Sequence, residues 1–148
     1  MKITIGAQYG DSASDKKVHP IKRNLTDCLT NSLQGEYFQK IEEIGLVLRT
    51  SGSIWKFEPP GVSKVRHSSK HNSITADIVI AESEWKNQTT DEIKTTIAKY
   101  IRECFLLILE RAEKNKEITS KERYLNDLSA GLDDFLSPKN PQPTIENT

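Results

Sequence analysis

An α+β domain is the fold class this chain predicts: an antiparallel sheet of four to five strands, covered on one face by a long helix in the C-terminal half and by two shorter helices. Three observations lead there. Apolar residues alternate with polar ones in short blocks between residues 2 and 81, which is the period of a half-buried strand. They then recur every three or four residues between 89 and 136, the period of an amphipathic helix. The candidate strands after residue 43 also follow one another too closely for parallel crossovers, which need a dozen residues or more.

The elements follow in order. "KITIGAQY" (Lys2–Tyr9) places Ile3, Ile5 and Ala7 on one side and reads as a first strand. "GDSASDKK" reads as an exposed loop of small and charged residues. Pro20 suits the opening of a helix, where its missing N–H costs nothing. Ile21, Leu25, Cys28, Leu29 and Leu33 form that helix's apolar stripe, and Gly35 suits its stop. "KIEEIGLVLRT" then sets Ile44, Leu46 and Leu48 against Glu43 and Arg49. "SGS" is a turn, and "IWKFE" returns with Trp55 and Phe57 toward the core and Lys56 away from it. "PPG" interrupts the ladder, because neither proline can donate a hydrogen bond. "VSKVRH" and "SITADIVIA" form a second pair, with Ile74, Ala76, Ile78 and Ile80 inward and Asp77 outward.

"TTDEIKTTIAKYIRECFLLILERAEKNK" carries the clearest helix. Thr89 and Glu92 have capping-box spacing, and Asp91 and Glu92 complement the positive helix start. Between Cys104 and Leu109 the helix is apolar nearly all round, so that turn is expected to be buried on more than one side. A last helix, Lys121 to Leu136, uses Leu125, Leu128, Leu132 and Phe135 to cover the side of the long helix that the sheet leaves open. The domain is thus expected to span residues 1–137. Residues 138–148, polar and proline-rich, read as a flexible tail.

Composition excludes several function classes. The 21 basic and 21 acidic side chains cancel, whereas a dedicated non-specific nucleic-acid binder needs a positive excess. The halves differ only mildly: residues 1–80 carry 11 Lys/Arg against 8 Asp/Glu, and residues 81–148 carry 10 against 13. No apolar run reaches the length of a membrane span, and "MKITIGAQYG" lacks the apolar core of a secretory signal, so a cytoplasmic location is expected. Cys28 and Cys104 both fall on apolar helix faces and are expected as reduced core thiols rather than a disulfide.

Candidate chemistry concentrates in "KVRHSSKHNS", where His67 and His71 stand four apart among Lys64, Arg66 and Lys70. The pattern is turn-like, not helical, so the imidazoles need not converge, and no HExxH glutamate or nearby cysteine completes a metal set. An exposed hairpin tip is expected, with no metal and no cofactor. His19 has no nucleophile partner, "GSIW" is not a nucleophile elbow, and "GAQYGDSAS" lacks the Lys-Ser/Thr of a phosphate loop. The chain is accordingly expected not to be an enzyme. Two surfaces remain for a partner. One is the outward sheet face, with Lys56, Lys64, Arg66 and Asp77 as contact residues. The other is an acidic helical side at Asp127, Asp133 and Asp134, which could mimic phosphate toward a basic protein. The alternative is a nucleic-acid-binding accessory domain using the basic hairpin around residues 64–71.

The "LRTSG" turn, the "GVSKVRHSSKHNSITADIVI" strand pair and Trp85 ahead of the long helix together resemble small immunity proteins of bacterial polymorphic-toxin and contact-dependent growth inhibition systems. The resemblance covers about residues 37–116. It implies a non-catalytic partner-binding protein that neutralises a cognate toxin domain, often a nuclease, carried at the C-terminus of a large secreted effector. Contact residues vary among such proteins, so the resemblance assigns none here.

Overall fold

The computed structural model describes residues 1–8, 12–50, 60–62, 65–68, 70–81 and 87–137. The expected "IWKFE" strand with Lys56, Trp55 and Phe57, and also Lys64, Trp85 and the tail 138–148, lie outside the described residues. The elements run β1 (Lys2–Gln8), α1 (Ser12–Ser32), β2 (Glu43–Thr50), β3 (Gly61–Val62), β4 (Arg66–Ser68), β5 (Ser73–Ile80), α2 (Thr90–Lys114) and α3 (Lys121–Leu136).

The α+β class holds, but the sheet is mixed rather than antiparallel. Its order is β1-β2-β5-β3, with β4 also on β5. β1 pairs with β2 in parallel, and β2 pairs with β5 in parallel. Only β3 and β4 run antiparallel to β5. The spacing rule assumed that strands after residue 43 pair with their neighbours in sequence, whereas β2 pairs with β5, and the chain between them is long enough for a crossover; α1 supplies the crossover between β1 and β2. β4 and β5 do form the expected hairpin, but β5 inserts between β2 and β3 instead of adding outside them. β3 and β4 pair with β5 in registers that differ by one residue, Val62↔Ile78 against Arg66↔Thr75.

One face of the sheet is the core. Ile3, Ile44 and Ile74 form a row across β1, β2 and β5, and Ile5, Leu46 and Ala76 form the next. All six are buried. The alternation read from the sequence therefore places every one of these side chains correctly, because a strand with one covered face tolerates no slip by one residue.

α1 begins eight residues before Pro20, which lies inside it. Proline there removes one helical hydrogen bond. The apolar stripe explains the longer helix: fully buried Val18 stands three residues before Ile21 and carries the stripe back past the proline. At the start of α2 the Thr89 hydroxyl accepts from the Glu92 N–H (3.2 Å), and the Glu92 carboxylate accepts from the Thr89 N–H (2.8 Å), completing the capping box. The far end of α2 closes in a Schellman turn. Glu117 N–H donates to Ala112 C=O (2.8 Å) and Lys116 N–H to Glu113 C=O (3.1 Å), with Lys116 in the left-handed region at φ 55°.

α3 packs against both other helices. Gly131 permits the close approach to α1, since a Cβ there would lie 3.1 Å from the Ser32 Cβ. An aromatic cluster knits the layers together. The Tyr124 ring lies edge-on to Phe38 at 5.3 Å and to Tyr37 at 5.5 Å, while its hydroxyl donates to the Phe105 carbonyl at 2.8 Å. The segment after α1 is fastened to the segment after α2 by Gln39 N–H to Glu117 C=O and Thr119 N–H to Tyr37 C=O, both 2.8 Å. Cys28 and Cys104 are buried and not joined in a disulfide, and burial pushes the Cys104 thiol up to about 12, leaving it without thiolate at neutral pH.

Candidate partner-binding surfaces

The outward sheet face is built by register. Val47 lies opposite Asp77, Arg49 opposite Val79, and Arg66 opposite Thr75. Both arginines therefore reach the same carboxylate diagonally. Arg49 Nη1 donates to Asp77 Oδ2 at 2.8 Å, and Arg66 Nη2 to Asp77 Oδ1 at 3.3 Å. The aspartate side chain is only 13% exposed, against 57% for Arg66. Charge-assisted bonds in that setting hold the strands together before they can serve a ligand. Of the sequence candidates on this face, Arg66 and Asp77 are thus brought together, with each other and with Arg49. Lys56 and Lys64 lie outside the described residues.

The hairpin tip is only partly as expected. Lys70 and His71 are exposed, and Asn72 turns the chain with φ 49°. His67 is different, because it pairs with Ile74 and so shares the core-facing side of β5. Its Nε2 is buried and has no hydrogen-bond partner among the described residues. The four-residue spacing thus separates the two imidazoles, one inward in the strand and one at the tip. Among the described residues no three His, Cys, Asp or Glu side chains form a metal-binding group.

The acidic helical side also divides. Asp127 is engaged internally: the Tyr37 hydroxyl donates to its Oδ2 at 2.5 Å, and Arg123 Nε lies 3.5 Å away. The same hydroxyl accepts from the Gly35 N–H at 3.0 Å. Burial, reinforced by the hydrogen bond to Asp127, pushes the Tyr37 phenol up to about 12. Asp133 and Asp134 are exposed on the last turns of α3. Beneath them Lys94 is 5% exposed, with its Nζ 4.8 Å from the centre of the Phe135 ring. Burial lowers the Lys94 pKa, opposed by Asp91, Cys28 and Asp134, so Asp134 belongs partly to the fold.

One expectation about α2 fails in an informative way. The turn from Cys104 to Leu109 is not buried all round, since Leu106 and Leu107 stand 44% and 43% exposed. Sheet and α3 take Ile101, Cys104, Phe105 and Ile108, and no described element covers the remaining side. The all-round apolar pattern was the available signal. It marks a surplus of apolar surface that no described element covers.

A family described as Immunity protein 44 (Imm44) matches residues 1–134. No curated protein and no solved structure matches the chain.

Proposed function

The chain belongs to the immunity protein 44 family, and from that premise we propose that it neutralises a cognate toxin domain by binding it one to one, without chemistry, in the cytoplasm. The match over residues 1–134 carries this reading, because it takes in every described strand and nearly all of the three helices. The site geometry is compatible with it. Asp77 is held by Arg49 and Arg66, Asp127 by Tyr37 and Arg123, and His67 turns to the core-facing side of the sheet.

The toxin is proposed to be of the nuclease class, at the C-terminus of a large secreted effector of the contact-dependent type, as the resemblance implies. The test is to co-express the chain with the toxin domain encoded beside its gene. Growth should be rescued, and the purified pair should elute as a stable one-to-one complex. Unrelieved toxicity with no complex would overturn the proposal. Binding of nucleic acid by the chain alone, weakening steeply with salt, would instead favour the hairpin reading. Two observations stand against that reading: Arg66 is engaged by Asp77, and His67 points inward.

A further inference from the structure

A single half-exposed leucine needs no explanation, but a group of them along one groove does. Among the described residues the exposed large apolar side chains are Leu106 and Leu107 on α2 and Leu136 on α3, each more than 40% exposed. Leu106 and Leu136 both line a groove of about 420 Å³ between the two helices, with Ala98 and Leu132 along it. On the other side of α2, Leu107 borders a second groove of about 620 Å³ against Val62 and Val65 of the sheet edge. α2 is therefore a ridge with leucines at its crest and a hollow on each flank.

The charges around this ridge are not balanced, although the chain as a whole is. Lys99 and Arg102 with Glu103 line the first groove, and Arg111 and Lys114 with Glu110 line the second. Four cations thus stand against two carboxylates. Arg102 leans across the first groove, Nη1 to Ser129 Oγ at 3.4 Å, which keeps its guanidinium beside the leucines.

We propose that this leucine ridge is the docking surface for the toxin, and that the toxin segment it receives presents apolar side chains flanked by carboxylates. The proposal rests on the toxin-binding reading above. Tight interfaces join an apolar, desolvated centre to a charged rim, and the ridge is the described surface that has both. The rim decides what fits. Its positive excess calls for carboxylates, and it disfavours a second copy of this chain, which would bring two like-charged rims together. It also bears on the mode of inhibition. A nuclease binds phosphate in a basic cleft, so a positively rimmed ridge docks outside that cleft and blocks the toxin at an exosite.

The experiment measures affinity of the full chain for the toxin domain encoded beside its gene, with Leu106→Lys, Leu107→Ser, Arg102→Glu and, as a distant control, Arg66→Glu. Urea midpoints verify folding, and the mild Leu106→Ala stands in should Leu106→Lys fail. Each leucine change should weaken binding by at least about tenfold. Arg102→Glu should slow association, and Arg66→Glu should change little. The unaltered complex should still bind a short phosphodiester oligonucleotide through the toxin's open cleft. If the unaltered chain does not bind the toxin, the toxin-binding reading itself fails. If it binds and the leucine variants bind equally well, only the ridge is overturned. Displacement of the oligonucleotide by the chain would overturn exosite docking. Self-association that Leu106→Lys abolishes would assign the ridge to a second copy and overturn the proposal.

Discussion

Removing one oxygen at Tyr37 tests how the connecting segments are held. Tyr37→Phe keeps the ring and its edge-on contacts but deletes a hydroxyl that donates to Asp127 at 2.5 Å and accepts from Gly35 N–H at 3.0 Å. Tyr37 is 1% exposed and Gly35 is buried, so the freed N–H cannot turn to water, and an orphaned buried donor costs about 1–3 kcal/mol. The bond to the carboxylate adds less than its full value, because the Asp127 side chain is 28% exposed and keeps Arg123 and solvent. The expected loss is about 2–3 kcal/mol, read as a lower urea midpoint at unchanged slope. Titration offers an independent check. The phenol ionises at about 12 in the folded chain against an ordinary value of 10, so the folded state holds this proton longer. The resulting stability is fully present below pH 10 and disappears as pH rises to 12. Two units correspond to about 3 kcal/mol lost on ionising the phenol, set first by burial of the charged form and second by the hydrogen bond to Asp127. Burial also raises Tyr124 and Cys104, so an alkaline loss persists in the variant, but the part between pH 10 and 12 that belongs to Tyr37 should go. A change below about 0.5 kcal/mol, or an unaltered alkaline limb, would refute the reasoning.

Other substitutions probe single features. Lys116→Gly should raise stability by about 0.5–1 kcal/mol in urea unfolding, because the left-handed C-terminal turn of α2 strains every residue but glycine. Gly131→Ala should lower the thermal midpoint. Its Cβ would press on Ser32 and Leu29 at 3.1–3.3 Å, and overpacking of 1–3 kcal/mol exceeds the gain in helix propensity of about 1 kcal/mol. His67→Leu should leave the urea midpoint unchanged or raise it by up to about 1 kcal/mol, since the lost Nε2 is a buried polar atom with no hydrogen-bond partner among the described residues. Excess zinc should not shift the wild-type midpoint, and a shift that His67→Leu removes would restore the metal reading.

Features that local physics decides were legible in the sequence. The faces of β2 and β5, the Thr89–Glu92 box and the span of α3 depend on residues within a few positions of one another, and all stand as read. Pro20 is the local exception: a rule for one residue lost to an apolar stripe that runs through it. Features that depend on distant neighbours were not legible. Asp127 looks like any helical surface acid until Tyr37, ninety positions earlier, arrives beside it. The inward turn of His67 follows from its pairing with Ile74, not from the spacing to His71. The period of the side chains by itself determined that this is an α+β chain and which side of each element is apolar. Only the tertiary structure decided that β5 enters between β2 and β3, and that Leu106 and Leu107 are left facing solvent. A residue's period states which face wants cover, whereas the cover comes from elements elsewhere in the chain, and no described element reaches the far side of α2.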